Sequence, residues 1–213
     1  MLNVKIFVFS PFQENTYLIR DSETKEAAII DPGCLERYEQ EELRSFIEKS
    51  NLIIKYHINT HCHIDHIFGN AFVKNSYGAP LYAPEKDLFL IEEMEKQAAA
   101  FGVSVEKSPL PDHYITEETN LSLGNDKMVF LFTPGHTPGE YSIYFPESEF
   151  CITGDVLFLE GIGRTDLWGG NLKTLVNSIK TKLFSLPDNT VVYPGHGDSS
   201  TIGHEKVNNP FLF

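Results

Sequence analysis

Cysteine is scarce in this chain: Cys34, Cys62 and Cys151 are the only three, an odd number with no C-x-x-C pair. A disulfide framework is not expected from such a set, and a reducing compartment suits it better. Basic residues are few as well, 17 Lys and Arg against 30 Asp and Glu, for a formal charge of −13 and a pI of about 5.0. That balance argues against nucleic acid or an anionic membrane as partner, since either would want a basic face. Long apolar runs are missing: nothing approaches the roughly 18 residues of a membrane span. The short apolar run over Met1–Phe9 contains Lys5 and lacks a small-residue cleavage site, so it does not read as a signal peptide. Repeats, low-complexity tracts and linkers are absent too. With 41% apolar and 12% aromatic residues available for a core, the expectation is one soluble, cytoplasmic domain over residues 1–213.

What is present reads as mixed α/β. Val4–Phe9, Thr16–Ile19 and Ala27–Ile30 are strand-like, and Asp31-Pro32-Gly33 stops the third. Leu35, Tyr38, Leu43, Phe46 and Ile47 recur at helical spacing over residues 35–49. Ile53–Ile58 is a strand that runs into a histidine cluster, and a short helix ending near Gly78 follows. One helix is expected over Glu85–Phe101 with Gly102 as its stop, then a loop over residues 103–118. Strands follow near 120–123, 128–132, 141–145 and 150–153; a helix is capped by Asn171; a last strand covers Thr190–Tyr193, with an irregular tail.

The cluster His61-Cys62-His63-Ile64-Asp65-His66 packs three imidazoles and a carboxylate into six residues. No core wants such crowding, whereas a divalent cation takes imidazole nitrogen and carboxylate oxygen as ligands. Other ligand types repeat one local grammar, in which a β-rich run ends, a glycine turns and a ligand follows: Gly135-His136, Gly154-Asp155 and Gly195-His196. Loops at strand ends are where sites usually lie. Five histidines and two aspartates suit two cations. His61, His63 and His136 are assigned to one, Asp65, His66 and His196 to the other, and Asp155 bridges them. A structural zinc site is the main rival reading, but such sites are usually cysteine-rich. Cys62 is read as a packed thiol and Asp31 as either a turn-former or a carboxylate orienting the metal loop. His57, His113 and His204 default to structural or surface positions. Trp168 is expected to close its loop onto the core. Arg164 and Asp166 are candidate substrate contacts whose bland alternative, a mutual loop-stabilising pair, is preferred.

His61-x-His63-x-Asp65-His66 with His136, Asp155 and His196 resembles the metallo-β-lactamase fold superfamily. Asp31-Pro32-Gly33, Thr133-Pro134-Gly135-His136-Thr137-Pro138-Gly139, Thr153-Gly154-Asp155 and Pro194-Gly195-His196-Gly197 resemble its signatures in order. Gly161–Leu167, Thr201-Ile202-Gly203 and Asn209-Pro210-Phe211 are most similar to the short glyoxalase II-like hydrolases. The resemblance implies an α/β fold, a four-layer αβ/βα sandwich with metals at one edge. It also implies a binuclear hydrolase of a small acyl thioester or ester, with Asp65 and Asp155 as catalytic carboxylates. Two divalent ions are expected, zinc first, with iron or manganese as alternatives. The chain departs from longer glyoxalase II enzymes by lacking their C-terminal helical extension. Persulfide dioxygenases are similar too, and in them one iron is held by residues matching His61, His136 and Asp155.

Overall fold

The computed structural model describes residues 1–212, which divide into two compact units: residues 1–114 with 123–125, and residues 115–122 with 126–212.

The first unit is built on a six-stranded sheet of order β1(Leu2–Phe9), β2(Glu14–Asp21), β3(Glu26–Ile30), β4(Ile53–Ile58), β5(Leu81–Ala83) and β6(His113–Tyr114). β1, β2 and β3 pair antiparallel; β3 to β6 run parallel, so helices must carry the chain back between them. Those helices are α1(Arg37–Lys49), α2(Ile64–Ile67), α3(Asn70–Tyr77), α4(Leu88–Glu92) and α5(Met94–Phe101). The helical spacing read from residue 35 starts two residues later because Glu39 reaches back. Its carboxylate accepts from the backbone N–H groups of Leu35 and Glu36, both at 2.8 Å, in a capping box. Leu43 and Ile47 then pack with Phe7, Leu18, Ile29 and Val73.

The single helix expected over Glu85–Phe101 is broken. A 3₁₀ turn covers Glu85–Asp87, and Glu93 leaves helical geometry between α4 and α5. The buried amide of Gln97 donates to the Leu90 carbonyl at 2.7 Å, satisfying a group that the break frees. Gly102 does end α5 in the left-handed region.

The second unit holds α6(Leu172–Thr181), α7(Ile202–Asn208) and strands β7(Leu121–Leu123), β8(Asp126–Phe132), β9(Tyr141–Phe145), β10(Phe150–Gly154), β11(Leu157–Phe158), β12(Gly161–Ile162), β13(Val191–Pro194) and β14(Ser200–Thr201). The sheet order is β14-β13-β10-β9-β8-β7, with β11 and β12 as a separate hairpin. β10 and β13 are the parallel pair, and α6 crosses between them. Leu175 and Ile179 of α6 pack with Cys151, Val192 and Leu183. Asn171 caps α6 as expected, accepting from Thr174 N–H at 2.9 Å. The tail is not irregular: Thr201 caps α7, and the buried Glu205 accepts from Glu160 N–H at 3.0 Å and the Asn209 amide at 2.8 Å.

All three cysteines are free and buried, and Cys62 packs with Ile64, Ile67 and Phe68 as expected. Among the described residues no helix is long and apolar enough to cross a membrane.

His57 on β4 has no exposed surface, and burial pushes its pKa down to about 4. An unfolded histidine titrates near ~6.5. Between these values the unfolded chain takes up a proton that the folded chain refuses, so stability is lost as pH falls through that window. Lowering the pH from 7 to 5 should therefore cost the parent about 2 kcal/mol more than His57→Gln. Urea midpoints at the two pH values measure this, and an identical pH response in both proteins would refute it.

Candidate metal centre

In the first unit the site begins where parallel strands end. Asp31 follows β3 with a left-handed φ of 50°, and its N–H returns to Ile58 O at 2.9 Å. Its carboxylate accepts from Thr60 N–H at 2.7 Å through Oδ1 and from the Thr60 hydroxyl at 2.6 Å through Oδ2. Because that hydroxyl proton is committed to Asp31, Thr60 Oγ1 accepts from His61 Nδ1–H at 3.1 Å. The proton therefore sits on Nδ1 of His61, and Nε2 carries the lone pair a metal needs. His66 Nδ1 lies 3.2 Å from Asp31 Oδ2. Ligand atoms of Asp31, His61 and His66 all lie within 4.8 Å of one another. The rings of His61 and His66 are 4.1 Å apart, and those of His61 and His63 are 5.0 Å apart. Asp65 sits on α2 with Oδ2 3.9 Å from His66 Nε2. Asp31 is thus the orienting carboxylate rather than only a turn-former.

Glu14 was not legible as a site residue. It is fully buried and accepts from the Thr16 hydroxyl at 2.8 Å, while Thr16 Oγ1 accepts from Gly33 N–H at 2.8 Å. Burial raises its pKa well above the carboxylate range; Asp31 and Asp65 add to the rise and His66 opposes it.

In the second unit β8, β10 and β13 each lead into a turn that carries a candidate ligand, His136, Asp155 and His196. Gly135 has φ of 139°, and a Cβ there would collide with the backbone of Leu175 at the start of α6, so only glycine can turn the chain into His136. His136 Nδ1–H donates to Arg164 O at 2.7 Å, again leaving Nε2 as the open nitrogen. That nitrogen lies 3.5 Å from Asp155 Oδ2, and His196 Nε2 lies 3.6 Å from the same oxygen. Asp155 N–H donates to Oε1 of the buried Glu140 at 2.8 Å. Gly195 N–H donates to Gly154 O at 2.7 Å, tying the His196 turn to the end of β10.

Arg164 and Asp166 occupy one another through a bidentate pair of 2.7 and 2.8 Å. The Arg164 guanidinium holds the Asp166 carboxyl down at about 2, below its usual range. The loop-stabilising reading therefore describes their side chains. The Arg164 carbonyl is what meets His136, a contact that no sequence pattern announces. Trp168 does not pack as expected; it is 45% exposed.

The donors in each unit are imidazole Nε2 and carboxylate oxygen, with the opposite ring nitrogen of His61 and His136 already committed. Such a set fits a zinc-type divalent cation and contains no thiolate.

Comparison with known proteins agrees. A family model described as "Metallo-beta-lactamase superfamily" matches residues 9–196. The chain is 42% identical to "Hydroxyacylglutathione hydrolase GloC" of Haemophilus influenzae, over 99% of this chain and 98% of that one. Among solved structures it is similar to "BLEG-1 B3 metallo-beta-lactamase", with a TM-score of 0.90 and 34% identity over 100% and 99% of the two chains. It is also similar to "TTHA1623 in a di-iron-bound form", with a TM-score of 0.86 and 36% identity over 98% and 100%. Similarity over the whole chain bears out the expected fold class.

Beside the Arg164 carbonyl, Gly163 is a second point at which the 161–166 segment touches the site. A Cβ there would overlap the Asp155 carbonyl oxygen and crowd His136 Cβ at 3.2 Å. Gly163→Ala should destabilise the protein by about 1–3 kcal/mol. It should also weaken retention of bound metal, which dialysis followed by elemental analysis would read. Unaltered stability and metal content would show that the loop tolerates the methyl group.

Proposed function

Since the chain belongs to the metallo-beta-lactamase superfamily, we propose that it is a binuclear metal-dependent hydrolase of glyoxalase II type, cleaving a small acyl thioester or related ester. The superfamily membership and the relative named as a hydroxyacylglutathione hydrolase support metal-dependent hydrolysis. The observation that carries the metal reading is the tautomer commitment: His61 Nδ1 is taken by Thr60 and His136 Nδ1 by the Arg164 carbonyl, so each ring presents Nε2.

In this proposal His61, His63 and His136 hold one cation, Asp65, His66 and His196 hold the other, and Asp155 serves both. When bound, divalent cations supply Lewis acidity to an acyl carbonyl and make water a nucleophile near neutral pH. The chain's part is to hold and orient. Asp31 orients His61 through Thr60 and lies beside His66, and Glu140 fixes the backbone of Asp155. Asp65 and Asp155 are the carboxylates able to accept and hand on a proton as water adds and the thiol leaves. Zinc is the first candidate metal, and the di-iron form of a similar protein keeps iron in view. The formal charge of −13 suits a small-molecule substrate better than nucleic acid.

A second reading is a mononuclear iron persulfide dioxygenase using His61, His136 and Asp155, a two-histidine, one-carboxylate set. Elemental analysis of protein purified without chelator separates the two. About two zinc-type ions per chain, with hydrolysis of acyl-thioester probes, is the expected result. About one iron with oxygen uptake on a persulfide would replace it.

Asp155→Ala should lower kcat/KM for the best thioester by more than the about 10–100-fold typical of outer-sphere partners, with the far-ultraviolet dichroism retained. Persistent turnover in this variant would remove Asp155 from its role.

A further inference from the structure

Four buried polar residues lie beneath the histidine loop without belonging to the ligand set. His57, Asn59 and Asn70 have no exposed surface and Ser108 is 4% exposed. Polar groups in such a place cost stability unless every one is matched. Apolar side chains of similar size would fill the same volume without that risk.

The bonds among them form one connected network. His57 Nε2 lies 2.9 Å from Asn70 Oδ1, and an amide oxygen can only accept, so His57 is a neutral Nε2–H donor. The Asn70 amide donates to Asn59 Oδ1 at 2.9 Å and to Ser108 Oγ at 2.9 Å. Asn59 Nδ2 donates back to Asn70 Oδ1 at 3.3 Å and outward to the His66 carbonyl at 3.0 Å. The chain of bonds thus starts on β4 and ends on the backbone of a residue in the ligand set.

That end point matters because α2 has only four residues. One turn of helix cannot hold itself together in water, since nucleation fixes several dihedrals for one hydrogen bond. Its carbonyls lack intrahelical partners and must be satisfied from outside. The His66 carbonyl is satisfied by Asn59, whose amide is held by Asn70, whose oxygen is held by His57.

We propose that His57, Asn59 and Asn70 form a positioning brace that sets the place of His66 and so tunes the metal affinity of the His61–His66 loop. The link to affinity rests on the metal-centre reading above; the link to loop order does not. Burial pushes His57 down to about 4, so the ring stays neutral and the brace stays intact at ordinary pH.

The test uses the full chain and zinc itself. Asn59→Asp keeps the shape but removes the donor to His66. His57→Leu removes the donor to Asn70, whereas His57→Gln supplies an amide N–H in its place. Zinc affinity is read by competition with a chromophoric chelator, and loop order by amide hydrogen exchange over residues 60–67 in metal-free protein. Asn59→Asp and His57→Leu should weaken zinc binding by about 10–100-fold and speed exchange selectively in that segment, with His57→Gln near the parent in both. Parental zinc affinity in Asn59→Asp or His57→Leu would overturn the proposal. So would exchange that rises evenly across the protein, the mark of a merely structural core. If Asn59→Asp does not fold, the His57→Leu and His57→Gln pair decides alone. If the parent binds no zinc, the metal-centre reading fails, and selective exchange in the loop still decides whether the brace exists.

Discussion

An aspartate with 1% of its surface exposed must find partners for both oxygens inside the protein, and the way Asp31 does so orders the histidine loop. Thr60 supplies two donors, its N–H and its hydroxyl. The hydroxyl, having given its proton to Oδ2, can only accept from His61, and His66 Nδ1 lies 3.2 Å from that same Oδ2. One buried carboxylate therefore selects, through Thr60, which nitrogen of His61 carries the proton. It also pins the end of β3 to the residues that follow β4, which is where the ligand loop begins.

The second unit solves the same problem with different parts. Its central carboxylate, Asp155, is fixed at the backbone by the buried Glu140, and its partner His136 is fixed by a carbonyl from the 161–166 loop. In both units a candidate ligand is held by a group outside the candidate ligand set. In the first unit the supporting Asp31 and the candidate ligand His61 follow neighbouring parallel strands, β3 and β4. The histidines need that support, because α2 is too short to supply it.

Much of this was legible in the sequence, for identifiable reasons. Strands such as Ala27–Ile30 and helices such as α1 announce themselves through apolar periodicity, and Gly78, Gly102 and Asn171 through end-of-helix chemistry. The candidate ligands stood out because imidazoles and carboxylates are costly to crowd. What stayed hidden was whatever depends on a partner distant in sequence. Glu14 and Glu140 look like ordinary surface acids until the fold buries them, and the Arg164 carbonyl has no side-chain signal. The break at Glu93 depends on Gln97 reaching the Leu90 carbonyl, which no periodicity shows. His57 defaulted to a bland position, and only the bonds through Asn70 and Asn59 give it a direction.

The loop from Phe158 to Gly170 shows how one scaffold can serve chemistries as different as those named for its relatives. Fold alone does not choose a substrate. On its inner side this loop is tightly constrained: Gly163 leaves no room for a methyl group over Asp155, and the Arg164 carbonyl holds His136. Its exposed side chains carry no such contacts to the candidate ligands. Arg164 and Asp166 satisfy each other at the surface, and Trp168 stands 45% exposed. An exposed ion pair of this kind contributes little to stability, so its loss is cheap. Substitutions on the outer face can therefore change what the loop meets in solvent while the carbonyl and glycine on the inner face keep the histidine and aspartate in place.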